Sequence, residues 1–278
     1  MNKIKSSILS KKDISFYKNE GFLYMKNFFD KKLIKEINKS IILSLDESLK
    51  NNNLYSMFKR YSLNEKLFKF RKKYPIHFSE FFQTVQTMAS IYPPLVKKKV
   101  LLVIEQLLNI PKGFITLTDV GIRLDAPNDS RNNLEWHQDS SYYRQNDSGR
   151  NGVVVWSPLI QDISLEMGPI EFLQKSQKIG TLMTSKNKNK NKLFSRKISI
   201  NQNKIQEYLN NVTCIKVKQG DVLLMNLDMI HRSGKNLSDK FRITLLARYH
   251  NSKSNDFNPG INLYKYNDKK INKKIHGF

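Results

Sequence analysis

The chain has 278 residues and carries 48 Lys and Arg against 24 Asp and Glu, a formal charge of +24. Cys214 is the only cysteine, which excludes an internal disulfide framework and is compatible with reducing surroundings. The first twelve residues lack the apolar core of a secretory signal, and no segment approaches the ~20 apolar residues needed to span a bilayer, so the expectation is a soluble cytoplasmic protein.

In chain order, the first strong periodicity covers residues 30–50, where Leu33, Ile34, Ile37, Ile41, Leu45 and Leu49 recur at steps of three and four. That spacing predicts an amphipathic helix starting near Asp30. A second helix is predicted over 93–109, opening on Pro93-Pro94 and continuing through Leu95, Val96, Val100, Leu101, Ile104, Leu107 and Leu108. Beyond it the pattern changes to short apolar runs separated by Asn, Asp, Gly and Ser, predicting strands at 115–124, 133–138, 152–158, 169–173, 212–218, 221–227 and 242–249. The tract Lys186-Asn187-Lys188-Asn189-Lys190-Asn191-Lys192 reads as a solvated, flexible loop between strands, with overhang of the site and capture of an anion as a secondary reading. The whole is one α+β, mainly β, domain over 1–278 with no clear linker: helical support over 1–112 buttresses a sandwich or barrel over 113–278, with a ligand in its mouth.

Chemistry concentrates in the β half. In an extended strand residues i and i+2 point the same way, so His137-Gln138-Asp139 aims an imidazole and a carboxylate at one point. His231, near the end of the 221–227 strand, adds a third donor. Two His and one carboxylate cover one face of an octahedral metal and leave the other positions open, the arrangement of non-haem Fe(II) oxygenases. Arg242 opens the next strand, where a desolvated guanidinium needs an anion. A 2-oxoglutarate co-substrate suits both halves, its keto-acid end on the metal and its distal carboxylate in the fork of Arg242. The competing readings are a surface pair for His137 and Asp139, a turn histidine for His231 and a structural ion pair for Arg242. Arg248 shares the face of Arg242, and Arg123 either faces the pocket or pairs with Asp125. His77, His250 and His276 have no suitable sequence partners and read as ordinary.

Four stretches together resemble the phytanoyl-CoA dioxygenase family of the Fe(II)/2-oxoglutarate-dependent oxygenase superfamily. They are Trp136-His137-Gln138-Asp139, Val153-Val154-Val155-Trp156-Ser157-Pro158-Leu159, Gly168-Pro169-Ile170-Glu171-Phe172-Leu173, and His231-Arg232-Ser233-Gly234 with Arg242 eleven residues past its histidine. The opening Phe16–Tyr24 is similar to the family's as well. The resemblance implies a double-stranded β-helix (a cupin-like jelly-roll), His137, Asp139 and His231 as ligands of Fe(II), and Arg242 as anchor of 2-oxoglutarate. It further implies Ser233 as hydroxyl partner of that carboxylate and Trp156 as an aromatic wall. Related halogenases lack the carboxylate ligand; with Asp139 present, the implied outcome is hydroxylation of a small-molecule substrate by dioxygen, with release of succinate and carbon dioxide. Gln174-Lys175-Ser176-Gln177-Lys178 replaces the family's usual Pro-Gly-Ser-His stretch.

The positive charge suits a nucleic-acid or membrane-surface partner in principle. The Lys excess, however, comes with an Asn excess that adds nothing to phosphate affinity, which points to compositional bias. A nucleic-acid demethylase of the same superfamily is one competitor, carried by the charge and by the Arg242-x5-Arg248 pair. It is opposed by the absence of a basic, aromatic-interleaved groove. A catalytically silent jelly-roll binding protein is the other. The Lys surplus favours an anionic metabolite as substrate, no membrane partner is expected, and nothing in the sequence sets the oligomeric state.

Overall fold

The structure, a computed structural model, describes residues 7–129, 133–141, 146, 148–182, 184–186 and 198–258. Helix α1 (Lys11–Glu20) starts on a capping box between Ser10 and Asp13 and stops at Gly21, whose φ of 84° turns the chain into strand β1 (Phe22–Met25). Helix α2 (Lys31–Asn51) begins where predicted, the Asp30 carboxylate accepting from the Lys32 N–H, and buries Ile34, Ile37, Ile41, Leu45 and Leu49. Then come α3 (Tyr55–Phe58), α4 (Leu63–Lys73) and α5 (Pro75–Gln86), which the sequence reading did not anticipate.

The helix predicted over 93–109 is two pieces, α6 (Tyr92–Leu95) and α7 (Lys98–Leu108), with Lys97 extended between them. The reason lies in the side chains. Pro94 and Leu95 are buried, as are Val100, Val103, Ile104 and Leu107, but Lys97, Lys98 and Lys99 interrupt the apolar stripe. Breaking the helix leaves all three lysines exposed while both apolar groups stay inside. No helix among the described residues is long and apolar enough to cross a membrane.

Strands β2 (Ile115–Asp125), β3 (Gly152–Pro158), β4 (Glu171–Leu173), β5 (Thr184–Lys186), β6 (Ile198–Ile200), β7 (Val212–Cys214), β8 (Val222–Asn226), β9 (His231–Arg232) and β10 (Arg242–Asn251) follow. They form an antiparallel five-stranded sheet of order β1-β8-β3-β10-β2, a three-stranded sheet β7-β4-β9 and a β5-β6 pair. Residues 187–192 of the Lys/Asn tract lie outside the described residues.

One face of the five-stranded sheet packs on the helices through Val153, Val155, Val222, Leu224, Ile243 and Leu245, against Ile37 and Ile41 of α2 and Val100 and Val103 of α7. The other face meets the smaller sheet through Val154, Trp156, Leu223 and Met225, with Phe172 opposite. Burial on both faces explains why β3 and β8 read as unbroken apolar runs rather than alternating ones. On β10, alternation sends Ile243, Leu245, Ala247 and Tyr249 to the helices and Arg242, Thr244, Leu246, Arg248 and His250 to the interior between the sheets.

At the rim, Gly168 (φ +65°) and Gly234 let two backbones touch: a Cβ on Gly168 would lie 2.3 Å from the Lys235 carbonyl oxygen. Gly168→Ala is therefore expected to lower the unfolding free energy by at least about 2 kcal/mol, from left-handed strain plus overpacking. An unchanged denaturant midpoint would contradict that crossing.

Candidate metal centre and the arginine strand

The residues before Asp139 meet β9 through reciprocal backbone bonds: the His137 N–H donates to the His231 carbonyl and the His231 N–H to the His137 carbonyl, both at 2.9 Å. Directly opposed residues of an antiparallel pair project to one face, and the two imidazole centroids lie 4.2 Å apart. The expected 133–138 strand is otherwise absent. Farther along, the Ser233 N–H still donates to the Leu134 carbonyl at 3.1 Å, but the Leu134 N–H goes to the Ser233 hydroxyl rather than back to a carbonyl, so the pairing stays a single bridge.

Asp139 therefore does not sit two residues along a strand from His137. It opens a 3-10 turn, Asp139–Ser141, fixed by the Ser140 N–H donating to the Leu227 carbonyl at 3.1 Å. The buried Gln138 side chain holds the turn from behind, its amide donating to the Gly180 and Asp228 carbonyls at 2.8 and 2.7 Å. The turn brings Asp139 Oδ1 to 3.7 Å from His137 Nε2 and 3.8 Å from His231 Nε2.

These three buried side chains offer ligand atoms that all lie within 4.8 Å of one another. The tautomers suit a metal. Each Nδ1 faces the backbone carbonyl two residues earlier, Glu135 at 2.7 Å and Met229 at 2.9 Å. A carbonyl only accepts, so each Nδ1 carries the hydrogen and each Nε2 turns a lone pair inward. Ligand bonds of about 2.1 Å in a facial octahedral set place donors about 3 Å apart, so closing this cluster takes shifts of up to about 1 Å per atom.

Burial pulls the Asp139 carboxyl upward, but the Arg248 guanidinium beside it outweighs that and holds the group well below the usual carboxylate range. Burial, reinforced by His137, depresses His231 to about 4, so its imidazole is neutral at pH 7, as a ligand must be. The inner face of β10 supplies the neighbouring arginine: Arg248 Nε donates to Asp139 Oδ2 at 2.9 Å.

Arg242, six residues earlier on that face, has an internal anion. Its Nε and Nη2 donate to Asp125 Oδ2 at 3.2 and 2.9 Å, and its Nη1 to the Gly234 and Met167 carbonyls at 3.0 and 3.3 Å. Arg123 takes the pairing reading, its Nη2 donating to Asp125 Oδ1 at 2.9 Å. Burial opposes ionisation of Asp125, yet Arg123 and Arg242 together keep its carboxyl low. Thr244, two residues from Arg242, has a buried hydroxyl with no hydrogen-bond partner; its position between the two arginines was the signal for it. Ser233 Oγ accepts from the Leu134 N–H at 3.2 Å and keeps its own hydrogen to donate. Trp156 is buried in the inter-sheet cluster, in register with Leu246 and Leu223. Gln174–Lys178 serves the N-terminal helix instead, Gln177 Nε2 donating to the Lys18 and Asn19 carbonyls at 3.2 and 3.1 Å.

His250 corrects the expectation of an ordinary histidine: it is fully buried, beside Arg248, with both ring nitrogens unpartnered. His77 pairs with Glu80 at 3.2 Å, and His276 lies outside the described residues. Burial, with Arg248 adding, lowers His250 to about 4. The unfolded chain thus binds a proton between about pH 6.5 and 4 that the folded chain refuses, so stability is complete above that window and falls within it as pH drops. His231 contributes with the same sign. We expect the melting temperature to decline below pH 6.5 and His250→Gln to flatten that decline; identical acid slopes would contradict a buried neutral His250.

No curated protein matches the chain in sequence. Among solved structures, it is similar to the non-heme monooxygenase ThoJ in its apo form, with a TM-score of 0.57 and 15% identity over 86% of this chain and 76% of that one. The epimerase SnoN in complex with Fe3+, alpha ketoglutarate and nogalamycin RO gives 0.57 and 13%, over 91% and 87%. EvdO2 from Micromonospora carbonacea var. aurantiaca, complexed with 2-oxoglutarate, gives 0.55 and 13%, over 90% and 95%. At such identities these likenesses speak for a shared fold. The family model described as phytanoyl-CoA dioxygenase (PhyH) matches residues 17–244, and on that match the chain belongs to the phytanoyl-CoA dioxygenase family.

Proposed function

We propose that this protein is an Fe(II)- and 2-oxoglutarate-dependent dioxygenase that hydroxylates a C–H bond of a small metabolite, releasing succinate and carbon dioxide. The observation that carries the reading is the convergence of two Nε2 lone pairs and one carboxylate oxygen, from residues up to 94 positions apart, on one buried point. Family membership supports it, as do the structural neighbours solved with Fe3+ and alpha ketoglutarate or with 2-oxoglutarate bound. The two sheets with their interior cluster are read as a double-stranded β-helix over 113–278, supported by the helices of 1–112 as one domain.

Bound iron with 2-oxoglutarate would supply oxygen activation and oxidative decarboxylation. The protein supplies placement. His137, Asp139 and His231 would cover one face of the ion and leave the remaining positions for the keto acid and dioxygen. The distal carboxylate of 2-oxoglutarate would join Arg242, with the hydroxyls of Thr244 and Ser233 as further donors. Because Arg242 already holds Asp125, the anion enters a preformed charged cluster rather than meeting a bare cation. Trp156, Leu246 and Phe172 keep water from the space between the sheets.

The Lys surplus favours an anionic substrate. The test is succinate release from 2-oxoglutarate in the presence of Fe(II), screened across acyl thioesters, phosphorylated metabolites, amino acids and methylated oligonucleotides. Substrate-dependent succinate with a small metabolite supports the proposal. Stimulation by methylated oligonucleotides alone would replace it with a demethylase, and no turnover with bound iron and 2-oxoglutarate would favour a silent binding protein.

A further inference from the structure

We infer that Arg248 is a positioning residue that holds Asp139 to one-oxygen ligation, reserving the third open metal position for dioxygen. The inference rests on the iron reading of His137, Asp139 and His231 and adds a role for a residue outside that set.

A carboxylate binds a metal through one oxygen or both. With three donors in a facial set, an octahedral ion has three positions left; chelation by a keto acid takes two, and dioxygen needs the third. If both oxygens of Asp139 bound, only two positions would remain, and the second carboxylate oxygen would compete with keto-acid chelation as well as with dioxygen. Here the two oxygens are in different surroundings. Oδ1 faces both imidazole Nε2 atoms at 3.7 and 3.8 Å, whereas Oδ2 accepts the Arg248 Nε hydrogen at 2.9 Å.

Arg248 is itself held in place by a local irregularity. Between the pairs Leu246↔Gly121 and Arg248↔Thr118, β10 advances two residues and β2 three, a bulge that contains Asp119 at φ +47°. The bulge brings the Asp119 carbonyl to 3.1 Å from Arg248 Nη1, whose hydrogen it accepts, and this fixes the guanidinium. The planar fork makes this rigid in a way a lysine does not.

The experiment compares wild type, Arg248→Met and Arg248→Lys under anaerobic conditions. It reads 2-oxoglutarate affinity of the Fe(II)-loaded protein from its visible charge-transfer band, the absorption spectrum of the Co(II)-substituted protein, and the melting temperature without metal. We expect Arg248→Met to weaken 2-oxoglutarate binding by roughly 10–100-fold and to alter the Co(II) spectrum. Arg248→Lys, which returns one donor to Oδ2, should recover part of both and serves as the test if the Met variant does not fold. A lower metal-free melting temperature with 2-oxoglutarate affinity within twofold and an unchanged Co(II) spectrum would overturn the inference, leaving Arg248 a structural partner only. Failure of the wild type to bind iron would instead overturn the ligand set itself.

Discussion

Asp139→Ala is expected to abolish 2-oxoglutarate turnover and, unusually for a lost ligand, to destabilise the protein before any metal is added. The second effect follows from Arg248. Its Nε hydrogen bond to Asp139 is buried, and removing one partner of a buried ion pair leaves an uncompensated charge that costs about 3–5 kcal/mol. For a chain of this size that is a fall of roughly 10 °C in melting temperature. The double variant Asp139→Ala/Arg248→Met should regain most of that stability and none of the turnover, because the charge is gone but the ligand is still missing. Calorimetry of the metal-free proteins beside a succinate assay separates the two effects. Retained turnover in Asp139→Ala would contradict the ligand assignment, and an unchanged melting temperature would contradict the ion pair.

Arg242→Met is the second large effect: the KM for 2-oxoglutarate should rise by about 100-fold, equivalent to about 3 kcal/mol, while iron affinity stays near that of the wild type. The prediction sets the anchor reading against the structural one, because in this structure the guanidinium already rests on Asp125. If Arg242 serves only Asp125, the variant should lose stability and leave the KM for 2-oxoglutarate unchanged. Arg242→Lys sharpens the contrast, since a lysine keeps a charge near Asp125 but lacks the planar set of donors that lets one guanidinium hold Asp125 and reach a second carboxylate.

The sheet and the triad were legible in the sequence for a physical reason. Strands buried on both faces are largely apolar, so β3 was located at both ends and β8 to within one residue, while β10, apolar on its helix face and polar on its inner face, was located to within two. Metal donors must be His and carboxylate, so few residues competed for the role. The helices of the first hundred residues were read less completely. Helix α4 announces itself by the Ser62-Leu63-Asn64-Glu65 capping box and α5 by Pro75 at its first turn, but the buried Phe70 of α4 lies among lysines, and α5 mixes buried Phe78 and Phe81 with exposed Ile76 and half-buried Phe82, which blurs the period. The turn that carries Asp139 was hidden because its geometry depends on what Gln138 grips, a contact with residues 42 and 90 positions away. The partners of Arg242 and Arg248 were hidden for the same reason. Strand parity gives the face, whereas the β2 bulge that aims the Asp119 carbonyl at Arg248 leaves no mark in the local sequence.

The measurement closest to the central claim is an anaerobic titration of the purified protein with Fe(II), with and without 2-oxoglutarate, read by bound iron per chain and by the visible charge-transfer band. The account predicts one ferrous ion per chain, a band that appears only when the keto acid is added, and loss of both in His137→Ala, Asp139→Ala and His231→Ala. Absence of iron binding, or binding that survives all three substitutions, would contradict it.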